Sequence, residues 1–190
     1  MRGLEAFQLL QRLDFDHVLD IGSGAGLQAD MFRQAGRRVT TISLVEPADI
    51  LGDYLETSFP FRFDCIWASH VLEHQVNPGR FLHKVREDLK EDGILAVTVP
   101  PMKGTIVGGH VTLWNAGLLL YHLVLAGFDC SDAKVKTDGY DVSVVVRYRP
   151  AQLPDDLVQD AGDIERLAHL FPLPVRQGFG GDILELNWHT

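Results

Sequence analysis

The stretch Val18-Leu19-Asp20-Ile21-Gly22-Ser23-Gly24-Ala25-Gly26 decides the fold. An apolar run passes through Asp20 into glycines at 22, 24 and 26, after which Leu27 to Gly36 places Leu27, Met31, Phe32 and Ala35 on one helical face. This is the pattern of strand, tight turn and helix. Glycine at alternate positions admits positive φ and leaves no Cβ to hold a ligand away from the backbone. The helix that follows aims its free N–H groups and the positive end of its dipole into the same crevice. A glycine turn without a ligand is the plainer reading. A nicotinamide-dinucleotide site needs Gly-x-Gly-x-x-Gly, and position 27 is Leu where the third glycine should stand.

Outward from this turn, the chain alternates strands and helices. Gly3 to Leu13 carries a helical stripe suited to covering a sheet edge, His17 to Ile21 is the first strand, and Val39 to Leu44 the second. About twenty residues separate Leu44 from Asp64, too few for a helix, a strand and both loops. The second crossover is therefore expected to lack its helix, with Asp49 to Leu51 a short third strand. Phe63 to Ser69 is the fourth strand. Asn77-Pro78 starts a helix as N-cap and first residue, with Phe81, Leu82, Val85 and Leu89 inward. Glu91-Asp92-Gly93 turns into a fifth strand, Ile94 to Val99. Asn115 caps a helix to about Ala126, and Cys130 to Lys136 with Tyr140 to Arg149 forms a hairpin around Thr137-Asp138-Gly139. The expected fold is α/β: a doubly wound, Rossmann-like sheet of seven strands, mostly parallel with one reversed.

Asp20-Ile21-Gly22-Ser23-Gly24-Ala25-Gly26 resembles the first motif of the class I S-adenosylmethionine-dependent methyltransferases. His70-Val71-Leu72-Glu73-His74 is similar to the segment containing Leu-Glu-His after strand four in many small-molecule members, and Phe81 to Pro101 is again close to the family pattern. The resemblance covers roughly residues 17 to 149. It implies strand order 3-2-1-4-5-7-6 and S-adenosylmethionine as cofactor, with S-adenosylhomocysteine as product. It also implies that the loop of Gly22, Ser23, Gly24 and Gly26 lies under the amino-acid part of the cofactor, with Asp20 helping to hold its ammonium group. Family members usually end strand two on a carboxylate that binds both ribose hydroxyls; here Ser43 holds that position, and Glu46 is the nearest acid. A hydroxyl makes one such bond but not the charge-assisted pair. Asp53, in Gly52-Asp53, matches a residue near the adenine amino group, or is simply a turn carboxylate. Ser69 closes strand four beside the same crevice.

His70-x-x-Glu73-His74 also fits the pattern of inverted zinc peptidases. That reading needs a long helix and a distant third ligand, whereas this segment opens from a strand and is closed by Asn77-Pro78. No metal is expected. If the acceptor must lose a proton, His70, His74 and His110 are the candidate bases, since imidazole titrates near neutrality. His110 sits with Lys103 in the glycine-containing stretch Pro100 to Thr112, which in the family often covers the acceptor. The expected reaction is methyl transfer to O or N of a small metabolite or glycan precursor. The alternative is a non-catalytic cofactor-binding module for a partner protein.

Composition narrows the partners. A net charge of −9 over 190 residues argues against nucleic acid, because phosphate binding needs a basic face. No apolar run is long enough to span a membrane, no signal-peptide core is evident, and Cys65 and Cys130 read as reduced core thiols, all of which suit the cytoplasm. Residues 1–149 are read as the methyltransferase domain and 150–190 as an extension packed on it. The extension holds seven acidic and two basic residues, with an expected helix from Asp155 to Phe171 and a flexible joint at Gly178 to Gly181. Packing, a homo-oligomer contact and a flap over the acceptor are the roles open to it.

Overall fold

The computed structural model describes residues 2–160 and 162–189; Met1, Ala161 and Thr190 lie outside the described residues. Its centre is one eight-stranded sheet of order β3-β2-β1-β4-β5-β7-β6-β8. Strands β1 (His17–Ile21), β2 (Arg38–Ser43), β3 (Ile50–Leu51), β4 (Phe63–Ser69) and β5 (Leu89–Val99) run parallel. The hairpin β6 (Lys134–Asp138) and β7 (Asp141–Arg147) reverses the direction, and β8 (Glu185–Leu186) pairs antiparallel to β6. The expected order of seven strands is present, and the eighth comes from the C-terminal extension.

Side-chain alternation sorts the strands onto two faces. Leu19, Ile21, Ile66, Ala68, Leu95 and Val97 meet α3 (Pro78–Asp88) and α4 (Ala116–Leu125) in the larger core. Val18, Cys65, Trp67, Ile94 and Ala96 meet α1 (Leu4–Leu10) and α2 (Leu27–Gln34) in the smaller one. There Phe32 packs edge-on against Trp67, with ring centroids 5.5 Å apart. Both cysteines are free and buried.

Local signals act where the sequence places them. Gly26 starts α2 at φ 78°, and Gly36, at φ 80°, ends it: Gly36 N–H donates to Arg33 O and Arg37 N–H to Phe32 O, the paired bonds of a Schellman stop. The Asn77 side chain accepts from Arg80 N–H and Asn115 from Leu118 N–H, capping α3 and α4. The second crossover, from β2 to β3, has no helix, and a 3-10 turn at Tyr54–Glu56 follows β3.

Several expectations are corrected. Leu27 is exposed, and Ala29 and Phe32 are the buried residues of α2. Glu91-Asp92-Gly93 lies inside β5, as an irregularity where the register with β4 jumps between the Phe63 and Cys65 pairs. The hairpin turn is Gly139-Tyr140, one residue later than expected, because Asp138 pairs with Asp141. The helix expected from Asp155 to Phe171 reduces to α5 (Asp163–Arg166) and a 3-10 turn at Ala168–Leu170. The Asp163 carboxylate takes the N–H groups of Val158 and Gln159, which folds the chain back instead of letting it wind. Gly181 serves close approach: a Cβ there would sit 2.5 Å from the Asn115 side chain, and Gly117 N–H donates to Gly181 O at 2.8 Å.

Candidate active site

The carboxyl ends of β1, β2 and β4 open into a crevice of about 230 Å³, lined among others by Gly22, Ser43, Asp53, His70, Val71 and His74. Larger hollows, of about 360 and 450 Å³, lie elsewhere, lined by residues such as Asp132, Arg149, Asp16 and Lys90. They hold none of the candidate cofactor or catalytic residues. In an open α/β sheet, ligands bind beyond the strands' carboxyl ends, so the smaller crevice is the functional candidate.

The glycine turn forms one wall. Gly22, Gly24 and Gly26 all have positive φ (73°, 52° and 78°), and Gly22 N–H donates to Ile42 O at 2.8 Å, tying the turn to β2. A Cβ on Gly22 would lie 2.5 Å from Val71 Cγ2, so Val71, two residues past strand four, packs directly on the turn. Asp20 points to the α1/α2 face and is 1% exposed, with Oδ2 buried and without a partner. Ser23 Oγ, Trp67 Nε1 and Ser69 Oγ are likewise buried and unpaired. Burial pushes the Asp20 carboxyl up to about 7, against which Arg33 pulls. Unpaired buried polar atoms are costly. Asp20 and Ser23 thus leave unpaired polar atoms at the glycine turn, and Trp67 and Ser69 leave theirs near Gly3; none of the four lines the crevice itself.

At the end of β2, Ser43 is buried and its Oγ accepts from Val45 N–H at 3.3 Å. Glu46 is exposed, does not line the crevice, and precedes a cis proline. The structure separates these two candidates: Ser43 faces the site and Glu46 does not. Asp53 is a turn carboxylate, its Oδ1 accepting from Leu55 N–H at 2.9 Å, and it also lines the crevice.

The opposite wall is the segment after β4. His70 has a left-handed φ of 56°, and Leu72–His74 is a 3-10 turn rather than part of a helix, so His70 and His74 face different neighbours. His70 Nε2 is 2.8 Å from Asp141 Oδ1, its Nδ1 is 3.1 Å from Glu73 Oε1, and its ring stacks on Tyr140. Carboxylates only accept, so Nε2–H donates to Asp141, while Nδ1 approaches Glu73 off the hydrogen-bond line. Burial alone would lower the pKa of His70, but the two carboxylates outweigh it and hold it above the ordinary histidine value.

His74 is bound differently. Its Nδ1 donates to Gly109 O at 2.7 Å, leaving a lone pair on Nε2, and its ring meets His110 edge-on with centroids 5.1 Å apart. The stretch Pro100 to Thr112 thus packs against the turn after β4, held at its far end by Val111 and Thr112 N–H groups donating to Glu73 O. Lys103 sits over the Tyr140 ring at 4.2 Å. Sequence reasoning missed Asp141, Tyr140 and Glu73 as site residues. Asp141 and Tyr140 arrive from a hairpin some seventy residues downstream, and no local signal marks them; Glu73 was visible in the Leu-Glu-His segment and the zinc-like pattern, but neither gave it a role of its own.

A family described as "Methyltransferase domain" matches residues 3–105. The chain belongs to the methyltransferase-domain family. As a class I methyltransferase it is an enzyme that uses S-adenosylmethionine and leaves S-adenosylhomocysteine. Among solved structures it is similar to the 1,6-didemethyltoxoflavin-N1-methyltransferase of Burkholderia thailandensis, which was crystallised with 1,6-didemethyltoxoflavin and S-adenosylhomocysteine (21% identity, TM-score 0.66, covering 78% of this chain and 77% of that one). It is also similar to an S-adenosylmethionine-dependent methyltransferase of Archaeoglobus fulgidus (16%, 0.60, 75% and 92%) and to the [4+2]-cyclase SpnF (25%, 0.55, 67% and 58%). No curated protein matches the sequence. Among the described residues, no helix is long and apolar enough to cross a membrane.

Proposed function

We propose that this methyltransferase acts on an oxygen or nitrogen of a small metabolite or glycan precursor. The observation that carries the reading is the enclosure of one crevice by the glycine turn on one side and by His70 and His74 on the other, with His110 of the following loop against His74. Such a pocket admits a small acceptor more readily than a polymer, and the net charge of −9 disfavours nucleic acid. The neighbour from Burkholderia is a 1,6-didemethyltoxoflavin-N1-methyltransferase with that small molecule bound, which supports the same substrate class by analogy.

When bound, the cofactor supplies an electrophilic methyl group. The chain's own work is to bind, align and exclude water. Gly22, Gly24 and Gly26 let the backbone approach the ligand, Ser23 and Asp20 offer unpaired polar atoms, and Ser43 offers a hydroxyl where a ribose would lie. His70 is committed to two carboxylates and acts as a positioning residue that fixes the turn after β4. His74 Nε2 and the His110 ring are the imidazole groups available to accept a proton from an acceptor.

The test is a single-turnover assay with methyl-labelled S-adenosylmethionine across hydroxyl- and amine-bearing metabolites and sugar precursors. Transfer of label to one of them supports the reading; cofactor binding with no acceptor labelled in a broad panel overturns it. That second outcome would favour a cofactor-binding partner module, the reading favoured by one specific observation, the loss of the strand-two carboxylate at Ser43. Ser43→Asp therefore provides a separate measure. A restored charge-assisted bond should tighten cofactor binding about tenfold in calorimetry, and unchanged or weaker binding would remove Ser43 from the ribose site.

Asp20 makes the binding proton-linked. To hold an ammonium it must ionise, against a pKa raised to about 7. Affinity should therefore rise between about pH 6 and about pH 8, with proton release visible as a buffer-dependent heat. The sign for the free protein is opposite. A carboxyl raised from 3.8 contributes stability at low pH that is lost as pH climbs through about 7. Asp20→Asn should accordingly be more stable than the parent at about pH 8 yet bind the cofactor at least about tenfold more weakly, without the pH dependence. Equal affinity in the variant would exclude Asp20 from the ammonium site.

A further inference from the structure

We infer that Glu73, His74 and His110 form a binding site for one divalent cation of the zinc type, which fastens the loop Pro100 to Thr112 to the turn after β4. The three residues each present a donor atom, and these atoms lie within 4.8 Å of one another. Two imidazoles with one carboxylate are a borderline-soft donor set, suited to zinc or cobalt and poorly suited to magnesium.

Two independent features point the same way. The first is the state of Glu73. Its side chain is fully buried, Oε2 has no hydrogen-bond partner, and Oε1 has only the off-line approach of His70 Nδ1 at 3.1 Å. A buried carboxylate left so poorly satisfied is expensive, and a cation satisfies it. The second is the tautomer of His74. Donation of Nδ1–H to Gly109 O turns the Nε2 lone pair toward Glu73, whose Oε1 is 3.9 Å away. The Nε2 edge of His74 and the Glu73 carboxylate thus face one shared space. An imidazole whose far nitrogen is held by a backbone carbonyl is the usual arrangement of a metal-bound histidine.

The geometry is close to what an ion requires. Bonds of about 2.0–2.1 Å in a tetrahedral site put neighbouring donors about 3.3 Å apart, so small rotations of the exposed His74 and of His110 would close the set. Three protein ligands leave a fourth position for water or an acceptor atom. Glu73 and His74 belong to the strand-four turn and His110 to the following loop, so occupancy would lock the loop to the turn. This differs from the peptidase pattern, since His70 takes no part. Without the ion, His74 and His110 accept a proton themselves; with it, the ion would lower the pKa of a bound hydroxyl instead.

The inference uses the site's geometry and not the methyl-transfer reading, and its test keeps the two apart. The full chain, stripped with a chelator, is titrated calorimetrically with zinc, then with magnesium, and separately with S-adenosylmethionine. We expect one equivalent of zinc to bind, no magnesium, and at least about a 100-fold loss of zinc affinity in His110→Ala and Glu73→Gln. Cobalt loading should give the visible absorption of a four- or five-coordinate site, and loading should slow proteolysis within residues 102–111. His110 makes no side-chain contact needed by the core, so its variant keeps the experiment decisive if Glu73→Gln fails to fold. Absence of stoichiometric zinc, or zinc binding that His110→Ala leaves unchanged, overturns the site. Cofactor binding without zinc binding would leave the methyltransferase reading standing, and zinc binding without cofactor binding would leave the metal site standing.

Discussion

Gly22→Ala is expected to destabilise the protein by about 2–5 kcal/mol and to abolish cofactor binding. The backbone there has φ 73°, where a side chain costs about 1–2 kcal/mol. The added Cβ would also fall 2.5 Å from Val71 Cγ2, an overlap that costs a further 1–3 kcal/mol or so when a packed neighbour must move. Val71 is β-branched and sits on a hydrogen-bonded turn, so it gives way poorly. Gly24→Ala is the control. With φ 52° and its nearest neighbour at 4.0 Å, it suffers backbone strain alone and should remain folded while binding the cofactor weakly. Urea unfolding and calorimetric titration of the two variants separate these effects. A Gly22→Ala protein with an unshifted midpoint would show that Val71 does not wedge against the turn.

The second large effect belongs to His70. His70→Ala should cost about 3–5 kcal/mol, because removing the cation leaves the buried Glu73 carboxylate without its nearest counter-charge and strips Asp141 Oδ1 of its hydrogen bond, although Gly3 N–H still donates to Asp141 Oδ2. His70→Asn tolerates the left-handed backbone but lacks the charge, and should recover only the strain. Adding Glu73→Gln to His70→Asn should restore part of the loss, since one orphaned charge is then gone. The pH dependence has a definite sign. A histidine raised above 6.5 contributes stability that is complete below that value and fades as pH rises through the folded pKa. The gap between parent and variant should therefore narrow on the alkaline side. A gap that is small throughout would mean that His70 is not the counter-ion of this pair.

Much of this architecture is local in origin. The glycine spacing at 22, 24 and 26, the caps at Asn77 and Asn115 and the stop at Gly36 act through the backbone of their immediate neighbours, so short windows of sequence reveal them. The truncated second crossover follows from chain length alone. The same reasoning failed for Asp155 to Phe171, where an apolar period suggested a helix and the Asp163 carboxylate, by capturing Val158 and Gln159, bent the chain instead. It also failed to see Gly181 as a close-packed residue, because the Asn115 that requires it lies far away along the chain.

The site divides along the same line. Sequence by itself determined the cofactor-side turn, the departure at Ser43 and the presence of three histidines, since each is a residue type at a fixed spacing. Only the tertiary structure decided what those histidines do. The 3-10 turn after β4 sends His70 toward Asp141 from a distant hairpin and His74 toward Gly109 and His110 in the following loop. Proton placement on an imidazole depends on which acceptors surround it, and those acceptors are assembled by long-range packing that no local pattern encodes.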